Sequence, residues 1–546
     1  MIQKIIKSKL FDGSPVESVA GAALVISLAG ILSRLLGLVR DRILASQFGA
    51  GDVLDVYYAA FRVPDLVYNL LVVGALSAAF IPVFTRLIVN KKENEARKLS
   101  SGVITLMVLA VASISALLAV FSPWVVKLVT PGFTPEKMSD VVYFTRIMFL
   151  SPIFLGISAV FGGMLVSYKR FLVYSLAPIT YNIGIIIGAL FFVRFIGPAG
   201  LAWGVVLGAM LHMLIQYPAA KKIGFKYSFS LMKSVCDKNV RKVIVLMIPR
   251  SLGMAVNQIN LLVITVFAST LAAGSLAVFN FANNIQSVPM GLFGISFAVA
   301  VFPHLSSLAG EESRKEFARV FSRTFRRITF FVVPMSVAIF VLRAEIVRAV
   351  LGAGQFDWED TVRTLQVLGI LSLSLFAQSL IPLLARSFYA IHDTKIPFYI
   401  ALVSEAVNII LVVLLIGKYQ VMGLAIAFSV SSVLNMFLLV LILRKRVGYL
   451  DDKNISISFI KIGLASLLAG GVIQFGRYYL SNFISLDTLA EVLLQIVISG
   501  GMGAATFLLG CYYFGIEEFH DFKKSILVKI FGMPADIIKD PNSMEQ

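Results

Sequence analysis

Apolar windows of about twenty residues follow one another along nearly the whole chain, and that recurrence fixes the solvent in which it folds. Wound as a helix rising about 1.5 Å per residue, each window spans the roughly 30 Å hydrocarbon layer of a bilayer. Barrel strands of about ten alternating residues would not give such unbroken runs, so the spans are helical. With 58% hydrophobic and 14% charged residues over 546 positions, an ordinary water-soluble core is excluded. The windows read as fourteen transmembrane helices, near 19–48, 53–85, 102–129, 141–167, 172–193, 199–219, 242–270, 275–309, 325–350, 364–391, 397–416, 421–443, 456–476 and 488–514, in an all-α polytopic membrane protein. Cys236 and Cys511 stand far apart, and His212, His304, His392 and His520 are scattered, so neither a disulfide framework nor a metal site is expected.

The net charge of +18 points to a partner only after it is placed on this topology. With both termini cytoplasmic, most Lys and Arg fall on cytoplasmic segments, as the positive-inside bias requires. Runs such as Lys91-Lys92, Lys221-Lys222, Arg326-Arg327 and Arg444-Lys445-Arg446 are then topogenic or touch lipid headgroups, and nucleic acid is not expected. Lys4, Lys7 and Lys9 before the run from Val19 resemble a secretory signal, but the run is long and carries Arg34. It reads as an uncleaved first helix.

The chain is also internally duplicated. Lys169 and Asn182 are echoed 226 residues later by Lys395 and Asn408, while Gly200-Leu201-Ala202 returns as Gly423-Leu424-Ala425 after 223. Ala45-Ser46 through Gly51 likewise resembles Ala268-Ser269 through Gly274, each ahead of a helix interrupted by Pro64 or Pro289. An even number of spans per repeat relates the halves by an axis along the membrane normal. The expected division is a cytoplasmic segment 1–18, a six-helix lobe 19–220, a basic linker 221–241, a pseudo-symmetric six-helix lobe 242–446, two further helices within 447–515 and a cytoplasmic tail 516–546. Gly184 with Gly188 and Gly204 with Gly208 suit close helix packing.

Ionisable residues inside spans carry the functional signal, because each costs about 2.5–3.5 kcal/mol to insert unless it meets a partner or a wet cavity. Arg34 and Asp41 lie two helical turns apart on one face, with Arg40 adjacent. Asp55, Tyr58, Arg62, Asp65 and Asn69 form a single polar stripe, and the eighth span answers with Asn280, Asn283, Asn284 and Ser287. Arg250 adds a cation beside Pro249. Two readings stand open: salt bridges stapling helices together, or a shared cavity richer in cations than its carboxylates can neutralise. The second suits an anion, and guanidinium groups grip phosphate oxygens in a two-pronged fork. Catalytic constellations are missing: Asp451-Asp452 and Glu359-Asp360 sit in loops, and no phosphate loop or nucleophile triad occurs, so a transporter is expected rather than an enzyme.

The segments Ser33-Arg34-Leu35-Leu36-Gly37-Leu38-Val39-Arg40-Asp41, Phe61-Arg62-Val63-Pro64-Asp65-Leu66 and Gly74 through Pro82 resemble the signature of the MurJ (MviN) family of lipid II flippases. Lys169-Arg170-Phe171, Gly354-Gln355-Phe356-Asp357 and Phe388 through Lys395 extend the likeness into both halves. The resemblance implies the fold of the multidrug/oligosaccharidyl-lipid/polysaccharide exporter superfamily, with the last two helices forming a groove for a lipid tail. It implies alternating access for a polyprenyl-diphosphate-linked saccharide in contact with membrane lipids, and admits other cell-wall synthesis proteins as partners. Arg34 and Arg40 would hold the diphosphate, with Asp41, Asp55 and Asp65 orienting cations or gating. Many members have Arg where this chain has Tyr68 and Asn284, and an acid where it has Val73; Arg250 and Arg62 are expected to supply the missing charge beside Asn284. No cofactor is expected; a monovalent coupling cation would involve Asn408 with Glu405, the nearest acid, since Val412 sits one turn on. Export of another undecaprenyl-linked oligosaccharide, or multidrug/cation antiport, is the alternative.

Overall fold

Backbone groups inside hydrocarbon must bond within their own segment, and every regular element among the described residues is accordingly a helix. The computed structural model describes residues 19–73, 79–229, 231–483, 485 and 488–523, and the side chains of some helical residues among them, Arg250 and Val73 included, lie outside this description. The N-terminal segment 1–18, most of the tail 516–546 and Gly74 through Ala78 also lie outside it.

Among the described residues eight helices are long and apolar enough to cross a membrane, or nine if Trp358–Leu373 and Leu375–Ala390, bent by 46°, form one span. Two of the eight are long enough for two crossings. Lys395–Val447 runs 53 residues and joins two helices at Gln420, whose φ of 50° and ψ of −132° are not helical. Phe171–Lys222 runs 52 residues and is interrupted at Gly197, with φ of 64° and ψ of −159°. Gly197 and Gln420 are 223 residues apart, and so are Lys169 and His392, which share a positive φ near 60°. Asp52 and Ser275, the first residues of two further helices, have this spacing as well. Each of those helices passes into a π segment, Asn69–Val73 in one and Met290–Ile295 in the other.

Two compact units arise from segments that alternate along the chain. The first takes Met1–Phe281, Val350–Arg363 and Ile409–Leu424; the second takes Ala282–Ala349, Thr364–Asn408 and Ala425–Gln546. In the first, Phe80, Phe84, Leu99, Val111, Val160 and Phe161 are buried in one apolar cluster, with the Phe80 and Phe84 rings stacked at 5.1 Å. In the second, Phe330, Ile462, Ala465, Phe507 and Cys511 pack the helices Asp452–Leu480 and Leu489–Tyr513 against Arg314–Val341. Ion pairs close both ends of that packing. Arg477 meets Glu345 at 2.8 Å, and Arg326 meets Glu517 and Glu518 at 2.7 and 2.6 Å.

Small residues set the closest approach in the first unit. A methyl group placed on Gly184 would strike the backbone of Gly208, and one on Gly188 would strike Gly204. Phe171–Ile187 and Gly200–Lys222 therefore cross backbone to backbone, the packing expected of small residues in lipid, where burial of apolar surface supplies no drive between helices. Gly204→Leu should lower the detergent-solubilised protein's unfolding free energy by about 1–3 kcal/mol. Thermal unfolding followed by size-exclusion recovery measures this, and an unshifted midpoint would show that the crossing is not tight.

Candidate substrate-binding site

The site begins on the helix Val19–Phe48, whose leucine-rich run supplies strong helix formers around four charges, Arg34, Arg40, Asp41 and Arg42. Arg40 is held in two directions. Its Nε and Nη2 donate to one Asp41 oxygen at 3.0 and 2.7 Å, and its Nη1 donates to Asn182 Oδ1 at 3.1 Å. Asp41 is buried while the Arg40 side chain keeps 21% exposure. Asn182 is fixed in turn, its amide donating to Pro178 O at 3.1 Å. A guanidinium has five donors, so three spent bonds leave Arg40 two. Arg34 lies half-buried on the same helix and has polar or electrostatic partners of its own.

The second contributor is Asp52–Tyr68, where Asp55, Tyr58, Arg62 and Asp65 follow the predicted stripe. Arg62 Nε donates to Thr265 Oγ1 and Nη2 to Asn280 Oδ1, each at 2.8 Å. Both acceptors are neutral, and both are oriented by the backbone: Thr265 donates to Leu261 O at 2.8 Å and Asn280 to Leu276 O at 2.7 Å. Among the described residues no carboxylate comes within ion-pair distance of Arg62, and three of its five donors are unspent. Tyr58 lies within electrostatic reach of Arg40, Asp41 and Arg62, and Arg62 within reach of Asp65, so the four charges share one cluster. Asp65 is partly buried, and its backbone carbonyl accepts from Asn69 Nδ2 at 2.9 Å.

Asp55 does something different. One oxygen accepts from Gly274 N at 2.8 Å, the other from Ala277 N at 3.0 Å, and Lys137 Nζ adds a contact at 3.2 Å. The carboxylate thus sits on the open N–H groups at the start of Ser275–Pro289, where the helix dipole favours an anion. Neighbouring contacts join the same end of the unit. Ala50 N donates to Asp360 Oδ2 at 2.7 Å, Gln355 N to Ser46 O at 2.9 Å, and Arg363 to Ala273 O and Ser275 Oγ at 3.0 and 2.9 Å. Gly274 has φ of +83°, and any Cβ there would run into Ala50 O. We call this set the latch.

The structure brings Arg40, Asp41, Arg62 and Asp65 into one cluster with Tyr58, and places Asp55 in the latch. Asn284 is half-buried on Ser275–Pro289 and belongs to the second unit, while Arg250 lies on Lys238–Ala268 with its side chain outside the described residues. Tyr68 packs against the first unit's apolar cluster. Sequence reasoning missed Thr265, Lys137, Asp360 and Arg363, and took Asn182 only as a repeat marker. The shared spacing of Asn182 and Asn408, each flanked by apolar residues, was the one available signal. In the second unit Asn408 is fully buried, its amide 3.4 Å from Glu405 Oε1 and its Oδ1 without a hydrogen bond; Ser404 Oγ is buried and unbonded as well.

With this geometry in view, comparison with known proteins decides the family. A family model described as "Lipid II flippase MurJ" matches residues 44–494. The chain belongs to the MurJ family. A Burkholderia cenocepacia relative named "Lipid II flippase MurJ" is 28% identical over 512 residues, covering 92% of this chain and 97% of its own. A Haemophilus influenzae relative, "Probable lipid II flippase MurJ", is 30% identical over 88% of this chain and 98% of its own. A solved structure titled "Lipid II flippase MurJ, inward closed conformation" superposes with a TM-score of 0.73 at 28% identity, over 90% of this chain and 98% of that one. A multidrug resistance MATE family transporter of the MOP superfamily in an inward-facing conformation gives 0.64 at 15% identity, over 79% and 99%, which shows a shared fold.

For this MurJ-family chain the latch has a direct readout. With Cys236 and Cys511 replaced by Ser and Ala277→Cys as reporter, Asp55→Asn should speed labelling by a soluble maleimide roughly tenfold. A hydrogen bond to a charged group is worth about 1.5–3 kcal/mol, and an amide retains only part of it. Equal labelling rates with and without the Asp55→Asn change would mean the carboxylate does not hold the helix end.

Proposed function

We propose that this chain is a lipid II flippase of the bacterial inner membrane, moving the lipid-linked peptidoglycan precursor from the cytoplasmic to the outer leaflet by alternating access. Family membership supports the substrate class: both relatives and the superposed structure carry that activity in their names. The observation that carries the mechanism is Arg62, an inserted cation held by two neutral oxygens with donors to spare. A diphosphate offers it the counter-charge that Thr265 and Asn280 do not. Arg40, oriented by Asp41 and Asn182, presents its remaining donors to the same ligand, and Arg34 on the same helix extends the cationic surface. The polyprenyl tail stays in lipid, along a groove on the two C-terminal helices, while the headgroup crosses.

On this reading the latch is the outer gate. Asp55 bound to the start of Ser275–Pro289 closes the outer end, and its release lets the headgroup leave. The topology is fourteen transmembrane helices, six in each of two pseudo-symmetric lobes and two beyond, with both termini cytoplasmic. Non-helical steps at Gly197 and Gln420 support dividing two of the long helices, and the recurrent 223-residue spacing supports the duplication. No chemical step on the substrate is needed. Coupling to a monovalent cation would act at Asn408, whose buried Oδ1 has no hydrogen bond, beside Glu405. Other cell-wall synthesis proteins are the expected company.

Expression of this chain in a bacterium depleted of its own flippase should restore lipid II exposure on the outer leaflet. Arg62→Gln and Arg40→Gln should reduce exposure to background while expression and insertion stay normal. Arg250→Ala should also impair it, if Arg250 supplies charge missing at Asn284; intact transport in Arg250→Ala alongside loss in Arg34→Ala would refute that compensation. Normal insertion of the parent chain without any exposure would move the substrate to another undecaprenyl-linked oligosaccharide or a drug.

A further inference from the structure

The helix Lys238–Ala268 has two unlike faces at its start. Val240 and Val243 are buried in the first unit's apolar cluster. Lys238, Arg241, Lys242 and Val245, at i, i+3, i+4 and i+7, lie together on another face and line a shallow surface depression. All four are exposed, and among the described residues none of the three cations has a carboxylate within ion-pair distance. Three like charges on adjacent turns repel one another and sit at the wrong end of the helix dipole, so an anion held by these side chains relieves both penalties.

The surroundings identify where that anion comes from. The segment before the helix is tied along Glu93–Val120: Ser101 Oγ donates to Lys226 O and accepts from Ser228 N, both at 3.3 Å, and Tyr227 OH lies 3.0 Å from Thr105 Oγ1. Held this way, it leaves Tyr227, Phe229, Met232 and Val235 exposed, and Ile244 with Val245 continue the apolar surface past the cations. Tyrosines and phenylalanines beside lysines, giving way to aliphatics within about 10 Å of helix rise, match the passage from headgroups to acyl chains. Apolar side chains of this size left uncovered by the protein need cover, and free phosphate would leave them bare.

We infer that Lys238, Arg241 and Lys242 form a binding site for the phosphodiester headgroup of an anionic membrane phospholipid, whose acyl chains cover Val245 and the aromatic segment beside it. The site is separate from the arginine cluster of the first two helices.

Native mass spectrometry of the full chain in detergent, titrated with phosphatidylglycerol or phosphatidylcholine, tests the assignment. Phosphatidylglycerol adducts should form preferentially. Lys238→Gln/Arg241→Gln/Lys242→Gln should weaken them roughly tenfold or more, since each basic residue near an anionic surface contributes about fivefold. Neutralising three other exposed lysines, Lys98, Lys315 and Lys453, controls for net charge and should leave the adducts in place. Inorganic phosphate in the millimolar range should not compete. The assignment falls if both lipids bind alike, if the two triple variants lose binding equally, if the Lys238/Arg241/Lys242 variant retains it, or if free phosphate displaces the lipid. Should that variant fail to fold, Arg241→Glu alone, expected to lose about tenfold, takes its place.

Discussion

A charge carried into hydrocarbon must be compensated where it sits, and the first two helices solve that problem in three ways. Arg40 and Asp41 neutralise each other across adjacent positions. Asp55 is satisfied by two backbone N–H groups and Lys137. Arg62 donates only to neutral acceptors, Thr265 and Asn280, with the Asp65 carboxylate within electrostatic reach but beyond ion-pair distance. Insertion of an arginine costs about 2.5–3.5 kcal/mol at a helix centre, and neutral acceptors return less of that than a carboxylate or phosphate does. The arrangement leaves three of Arg62's five donors unspent among the described residues.

Latch and cation share one pair of helices. Asp55 and Arg62 are seven residues apart on Asp52–Tyr68, two turns along one face. They reach Ala277 and Asn280, three residues apart near the start of Ser275–Pro289. Separating these two helices breaks the Asp55 contacts and removes one of Arg62's two acceptors together. On the proposed mechanism, a diphosphate that draws Arg62 away from Asn280 loosens the same helix pair that the latch closes. Binding and opening are then linked by geometry, without a relay through distant residues.

The helical fold was legible because apolar runs of spanning length admit few alternatives. Helix breaks were less so. Gly197 announces its positive φ, but Gln420 adopts a comparable conformation without being glycine or asparagine, and only its place 223 residues later gave a hint. At the site, the 3.6-residue period placed Asp55 and Arg62 on one face correctly. It did not foresee Arg40 turning to Asp41, since neighbours one residue apart do not face each other on a helix; the long arginine stem makes the contact. Partners from distant segments, Thr265 and Lys137 above all, are set by tertiary packing and leave no local pattern. Lys137 in particular reads as a loop cation until Asp52 and Asp55 are seen beside it.

The claim that Arg62 awaits a phosphate is most directly tested by binding. Full-length protein in nanodiscs, titrated calorimetrically with farnesyl diphosphate as a short polyprenyl probe, should bind it and ignore farnesol. Arg62→Gln should weaken the diphosphate roughly tenfold, the loss expected for a charge-assisted pair. An unchanged affinity in a folded Arg62→Gln protein, or equal binding of farnesol, would contradict the account.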